Sequence, residues 1–387
     1  MTTSGVRAAV STLLAGSCLL AAVACASSGT TPAPATPARA VTSPLVTSMA
    51  AIGGGTWAVL EMGGSAADEN NFWELFSRPA TSAQWTLVTP PGVADNGGLV
   101  AAAPALGQQM GVAIRPSQGL TFSPTAETSD NGKTWGTGLI DAAVADVPDA
   151  IASYNGRMLA LLSNGAIDQV DPPGTSWRRL AAPGAIGATA AGQSCEITGL
   201  TAVAFSTTTA PLAAASCAKP GIAGVFVLDG TTWQAAGPAL TGALAGQQIQ
   251  VLRLTGTPAG DIALLRAGTG STASLLAAWT SDGTHWTVSS PFTVGTGTVT
   301  ASGTGPGGTA WVLLTGGRAE AVNGPGTAWH TLPAPPRGTA ALAAGPGGSF
   351  DALAVSDAKL TVFQLSPQGS WTQTQVINVP IQFGSSS

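Results

Sequence analysis

Carboxylates crowd the first 150 residues. Glu61, Asp68, Glu69 and Glu74 lie within one short stretch, and Asp95, Asp141, Asp146 and Asp149 follow, so these positions hold eight of the chain's 19 acids. Two carboxyl groups at a suitable separation can do general acid/base work on a glycosidic bond, and a group of them can hold a cation such as Ca²⁺ or the hydroxyls of a sugar. The same residues also read as solvated loop charges in a chain with few other means of staying soluble. Other catalytic chemistry is thinly supplied. The two histidines, His285 and His330, each adjoin a tryptophan in a turn-like sequence, and the chain has one tyrosine, Tyr154. No Gly-x-Ser-x-Gly elbow and no Gly-rich phosphate loop occurs in the sequence, and the histidines and cysteines are too few and too scattered for a metal site. Neither a metal nor a cofactor is implied, with Ca²⁺ left as a candidate on the acids alone.

The N-terminus carries a different chemistry. Arg7 precedes an apolar stretch over residues 8–24, followed by Cys25, which is the layout of a secretory signal peptide. Ala22-Val23-Ala24-Cys25 resembles a bacterial lipobox, in which the cysteine thiol is acylated and becomes the new N-terminus, so Cys25 is the expected lipidation site. An ordinary signal cleaved after Ala24 and an uncleaved anchor helix remain as alternatives, although the apolar stretch is short for a bilayer. Residues 25–44, rich in Pro, Thr and Ala, read as a disordered tether. Export to an oxidising compartment predicts that the remaining pair, Cys195 and Cys217, forms a disulfide. Their midpoint falls at Ser206, so the pair is expected to face across a hairpin, with Cys195 opening its first strand and Cys217 closing its second.

Composition narrows the partners. Charged residues make up 9% of the chain and hydrophobic residues 44%, which excludes a disordered polyelectrolyte. Lys and Arg number only 14 and are scattered, so nucleic acid is not an expected partner.

The elements that must position these groups are set by a repeat. Trp85, Trp135, Trp177, Trp233, Trp286, Trp329 and Trp371 recur at intervals of 50, 42, 56, 53, 43 and 42 residues, the period of propeller blades. Each is preceded by an apolar run of strand length, at 56–60, 110–114, 158–162, 212–215, 262–265, 310–314 and 352–355. Runs apolar throughout mark strands buried on both faces, and no segment keeps a helical period. The expectation is an all-β chain folded as a single seven-bladed β-propeller of four-stranded antiparallel blades over residues 45–387. Small first-strand residues fit the narrow axis of such a fold. Whether the strand near residues 45–51 completes the first blade or closes the last is left open.

The sharpest copy of the turn is Thr128-Ser129-Asp130-Asn131-Gly132-Lys133-Thr134-Trp135. There Asp130 is expected to accept backbone N–H groups of its own turn, Gly132 to take a positive φ, and Trp135 to pack beneath the hairpin of the third and fourth strands. Asp282, Gly283 and Trp286 keep most of the pattern, and Asp229 and Trp233 keep less. With these turns residues 45–387 resemble the Asp-box propellers, or bacterial neuraminidase repeat proteins, a family of sialidases and other glycosidases, sortilin-type receptors and photosystem II assembly factors. The repeat marks a fold shared by enzymes and non-enzymes. The Arg-Ile-Pro-like motif of the family's sialidases is matched only partly by Ser77-Arg78-Pro79 and Ile114-Arg115-Pro116, and Tyr154 falls in a turn on the wrong face for a nucleophile. The reading adopted is an exported, lipid-anchored, monomeric propeller that binds a protein or glycan at the cell surface without catalysis. A glycoside hydrolase or lyase using the acids of the first three repeats is the alternative.

Overall fold

Strand-forming sequence is arranged in consecutive antiparallel runs. The computed structural model describes residues 48–52, 55–62, 72–90, 99–104, 110–114, 124–139, 148–171, 176–305, 307–356, 359–366 and 368–378, all within the unit Pro37–Ser387. Five four-stranded sheets span 48–87, 99–139, 150–181, 299–331 and 339–378, each with its strands in chain order. A nine-stranded sheet holds two further runs, 197–235 and 249–288, together with the short strand Phe292–Thr293. One residue pair, Ser216 opposite Gln250, joins those two runs.

The first strand of every run packs beside the first strand of the next, and Ser48–Ile52 packs against Thr339–Ala344, so the series returns to its start. This is a β-propeller. Its inner strands are built from small residues, SMAAI at Ser48–Ile52 and TAALAA at Thr339–Ala344. The cores lie between neighbouring sheets: Leu159 and Ile167 meet Val203 and Phe226 in one cluster, and Trp311 and Leu313 meet Leu342 and Phe350 in another. Strands such as Arg157–Leu161 and Ala310–Leu314 are buried almost throughout, which accounts for their unbroken apolar sequence. Ser48–Ile52 pairs with Gly55–Met62 and belongs to the first sheet, and Trp371–Asn378 is the fourth strand of the last, which answers the open question about closure.

Two expectations are corrected. The chain does form a helix, Ala190–Cys195, because Thr189 caps it by accepting the Gly192 N–H at 3.0 Å and Glu196 ends it in the left-handed conformation. Cys195 therefore ends this helix, and the strand begins at Ile197. Cys217 does close the second strand, Pro211–Cys217, and the disulfide to Cys195 is formed. No helix among the described residues is long and apolar enough to cross a membrane. The 1–44 segment with Cys25 lies outside the described residues, as do Asp68, Glu69, Asp95, Asp141 and Asp146.

Candidate functional site

Hairpins joining first to second and third to fourth strands lie at one face of a blade; the turns between second and third strands and the connections between blades lie at the other. On the second face a cleft of about 240 Å³ opens between the 150–181 and 197–235 runs. Three segments build it. The turn at 162–165 closes with Gly165 N–H donating to the Leu162 carbonyl at 2.8 Å, and Gly165 has φ +80°. The Asn164 side-chain oxygen accepts the Ala166 N–H at 2.9 Å, so the amide NH₂ is the group it can offer a ligand.

The connection 182–196 supplies Gly184, Ile186 and Gly187. It is shaped by the helix that follows it: Thr189 donates its hydroxyl to the Ile186 carbonyl at 2.7 Å while its oxygen caps Gly192. A side chain at Gly192 would strike that same Ile186 carbonyl, so glycine is what lets the helix lie so close. The third wall is 197–200, where pairing with the second strand slips on either side of Gly199 and Leu200, forming bulges that bend the strand. Thr198 anchors it by donating to the Ser216 carbonyl at 3.1 Å. The Cys195–Cys217 disulfide ties the helix to the second strand, and Ala218 and Lys219 add backbone bonds to the Glu196 and Cys195 carbonyls. Stapling thus holds a wall of the cleft.

Asp149 stands at the cleft just before the strand Ala150–Tyr154, and among the described residues it is the one charged side chain in the lining. Leu162 and Ile186 make a buried apolar floor, and Ser163, Asn164 and Thr198 are exposed polar groups around it. Of the eight acids singled out in the sequence, only Asp149 reaches this site among the described side chains. Glu74 is turned to its own sheet, where it accepts the Thr89 hydroxyl while Thr89 accepts the Leu75 N–H at 3.0 Å. The backbone of Glu61 lies in the strand Gly55–Met62, paired with Trp73. Among the described residues no three His, Cys, Asp or Glu side chains come together as a metal site. The polar lining 163–165 and the connection 184–187 were not foreseen from sequence; their one legible signal is the Gly-rich stretch between Ala181 and Cys195.

The conspicuous turns lie on the opposite face. Asp130 accepts the Thr134 N–H at 2.9 Å and the Thr134 hydroxyl at 2.6 Å, and these donors, the hydroxyl first, hold its carboxyl down at about 2. Thr128 joins the network, accepting the Gly132 N–H at 3.0 Å. Asp282 accepts the backbone N–H groups of His285 and Thr284, both at 2.8 Å, and is likewise held well below the usual range. His285 is exposed and turns its Nδ1 to Asp282 at 2.7 Å. Asp229 behaves differently: Asp229 pairs with Thr232 across a tight turn containing Gly230 at φ +58°, and its carboxylate accepts from Gln234.

The tryptophans also reach across to the neighbouring sheet. Trp135 packs against a cluster that includes Val112 and Ala126 of its own sheet together with residues of the preceding one, where it meets Trp57 edge-on at 6.4 Å and donates its indole N–H to the Val88 carbonyl at 3.1 Å. Trp286 repeats this with Ala236 at 2.6 Å, Trp329 with the Ser289 hydroxyl at 3.2 Å and Trp371 with Pro333 at 3.0 Å. Trp233 joins the core shared with the preceding run. Gly132 makes this approach possible in its turn, since it has φ +81° and a Cβ there would lie 2.6 Å from that of Val88.

No protein-family model matches the chain, and no curated protein does. Solved structures do. A protein from Lactobacillus plantarum is 10% identical, with 84% of this chain and 97% of that one covered and a TM-score of 0.51. YCF48 from Cyanidioschyzon merolae is 12% identical over 83% and 94% of the chains, with a TM-score of 0.46. A six-bladed fungal lectin, Aleuria aurantia lectin, is 13% identical over 88% and 97%, with a TM-score of 0.38. At these identities the likeness to the Lactobacillus plantarum protein is one of fold alone.

Proposed function

We propose that the protein is an exported binding module, a seven-bladed Asp-box propeller over residues 45–387 held at the bacterial cell surface by a lipid on Cys25 and a 25–44 tether. In this reading residues 1–24 are the signal peptide, the molecule is a monomer, and the nine-stranded sheet is two blades that share one edge contact. The topology supports the count, because seven consecutive four-strand runs each place a first strand next to the following one.

The observation that carries binding over hydrolysis is the lining of the cleft. Glycoside hydrolysis by acid/base or nucleophilic catalysis needs a second carboxyl about 5–10 Å from the first. Among the described residues Asp149 is accompanied there by hydroxyls, an amide and aliphatic side chains, with no second carboxyl. That set can recognise and orient a ligand, and it lacks the pair that would break a glycosidic bond. The disulfide and capped helix behind the wall suit a preformed site. A panel of sialosides and glucosides offered to the purified protein tests the reading: turnover that disappears in Asp149→Asn would overturn it. For the anchor, Cys25→Ser is expected to move the protein from the membrane fraction to the medium, and retention in the membrane would overturn the lipid assignment.

A further inference from the structure

We infer that Asn155-Gly156 is a self-modifying site, at which Asn155 loses its side-chain amide as ammonia with the Glu127 carboxylate acting as general base. The inference is independent of what the cleft binds. Asparagine before glycine is labile because the glycine N–H, with no side chain to shield it, can attack the preceding amide. Five such pairs occur, at Asn96, Asn131, Asn155, Asn164 and Asn323, and Asn96 lies outside the described residues. The others differ in what surrounds the reacting groups. Gly132 donates its N–H to the Thr128 hydroxyl at 3.0 Å and Gly165 to the Leu162 carbonyl at 2.8 Å, neither of which is a base. The side-chain oxygens of Asn164 and Asn323 are engaged, one by the Ala166 N–H and the other by the Thr309 hydroxyl at 3.5 Å. Gly156 instead donates to Oε1 of Glu127 at 3.3 Å, a carboxylate of the neighbouring sheet.

The fold builds this contact from both sides. Glu127 stands in the strand Pro124–Thr128, opposite Gly111. A Cβ at Gly111 would lie 2.9 Å from Cε of Met158 and 3.1 Å from Cβ of Ser153, so glycine there lets the next hairpin come up to the carboxylate. Asn155 and Gly156 have φ +49° and +76° between the paired residues Tyr154 and Arg157, the two-residue turn that Asn-Gly favours. Its legs are fixed, the Tyr154 ring lying 6.1 Å from that of Phe205 and Arg157 bonding to Asp171 at 3.2 Å and the Thr209 carbonyl at 3.0 Å. The attacking N–H and its proton acceptor are thus held together, while the Asn155 side chain is exposed. Burial raises the Glu127 carboxyl to about 7, which makes its ionised form a stronger base than an ordinary carboxylate. As Glu127 takes the N–H proton, the Gly156 nitrogen bonds to Cγ of Asn155 and closes a succinimide ring. The amide leaves as ammonia with that proton, which regenerates the carboxylate. Water then opens the ring at either carbonyl, leaving aspartate or isoaspartate, so a water is consumed for each ammonia released. The product places a second carboxylate beside Glu127, and repulsion between them loosens the junction of the 99–139 and 150–181 sheets.

The test incubates the full, folded protein at pH 8 and follows each asparagine by peptide mass spectrometry with fragmentation, reading the replacement of the amide by a hydroxyl. Asn155 is expected to react faster than Asn131, Asn164 and Asn323 and to give both aspartate and isoaspartate. Glu127→Gln is expected to slow Asn155 by about tenfold or more and to leave the other three unchanged. Glu127→Asp, whose carboxyl stops a methylene short, is expected to fall between. Hydrogen exchange over 154–157 is expected to be no slower in Glu127→Gln than in the parent, which separates loss of the base from a stiffer hairpin. Asn155 reacting no faster than the other three, an unchanged rate in Glu127→Gln, a slowing shared by all four sites, or slower exchange over 154–157 would each overturn the inference. Asn155→Asp is expected to melt below the parent at pH 8, and melting with the parent would overturn the effect on the junction. None of these outcomes bears on binding at the cleft, which turnover alone would strike.

Discussion

Two carboxylates show how one residue type is driven in opposite directions by its surroundings. Asp130 is partly exposed and wrapped in donors, so its carboxyl is held at about 2. Glu127 is largely buried and receives one N–H, from Gly156 of the neighbouring sheet at 3.3 Å, so burial dominates and its carboxyl rises to about 7. Linkage gives these shifts opposite consequences. For Asp130 the folded state binds its proton less readily than the unfolded chain, so its stabilising contribution is full above pH 3.8 and is lost as pH falls towards 2. For Glu127 the folded state holds the proton more readily, so stability is highest below pH 4.5 and declines as pH rises through about 7. Thermal melts are therefore expected to show Glu127→Gln more stable than the parent at pH 8, with the gap closing by pH 5. Asp130→Asn is expected to be less stable than the parent at pH 6, with that gap closing towards pH 2. A gap for Glu127→Gln that is constant with pH would mean the carboxyl is not protonated in the fold. Asp261, pushed up to about 6 by burial while accepting the Thr207 N–H at 3.0 Å, follows the sign of Glu127.

At the scale of elements, the recurring unit is a tryptophan turn docked on the sheet before it. Trp286→Phe keeps one aromatic ring while removing the bond to the Ala236 carbonyl and a little packing, and about 1–2 kcal/mol of stability is expected to go with them. Trp286→Ala removes the packing as well, and a loss of about 3–5 kcal/mol is expected by urea unfolding. If the two variants lose the same amount, the indole bond is the whole of the contribution. The connection 182–196 is held in a second way, by the disulfide. Reduction, or the paired Cys195→Ala and Cys217→Ala variant, is expected to speed hydrogen exchange in 182–200 while 310–314 keeps its protection; a uniform rise across all strands would show that the disulfide stabilises the whole fold. Sequence made the strands legible because their burial leaves a continuous apolar trace: 310–314 is a buried strand over those same residues, and 262–265 lies inside the buried strand Gly260–Ala267. The disulfide was legible from the parity of the cysteines and the hairpin around Ser206. The helix was not, since its six residues AAGQSC are too few to show a period and its determinants are a Thr cap and a glycine contact with Ile186. The cleft was hidden for a related reason. It is assembled from turn residues and a connection whose side chains converge only in three dimensions, and five of the eight acids that drew attention lie outside the described residues.

The whole molecule must join its first sheet to its last, about 300 residues apart in sequence, and a contact so distant carries a loop-closure cost that only favourable seam interactions offset. Among the described residues no strand from one end enters the sheet of the other, so side chains hold this seam. Arg78 of the first sheet forms a largely buried ion pair with Asp351 of the last, Thr56 donates to the same carboxylate at 2.8 Å, and the Trp85 N–H donates to Gln375 at 2.8 Å. Beneath them Met49, Ala58 and Trp85 pack with Leu353, Leu360 and Val362. Removing one partner of such a pair strands the other charge away from water, so Arg78→Met is expected to cost about 3 kcal/mol in urea unfolding. Arg78→Met combined with Asp351→Leu removes both charges and is expected to recover most of that loss. Arg178→Met is the comparison, because Arg178 pairs with Asp171 within the 150–181 run and both side chains are well exposed, at 57% and 42%, so less is lost. The seam also predicts where the fold opens. In Arg78→Met hydrogen exchange is expected to rise first in Ser48–Ile52 and Phe350–Ser356 while Pro211–Cys217 stays protected. Equal losses in Arg78→Met and Arg178→Met, with exchange rising evenly around the ring, would mean that the seam is no weaker than any other junction between blades.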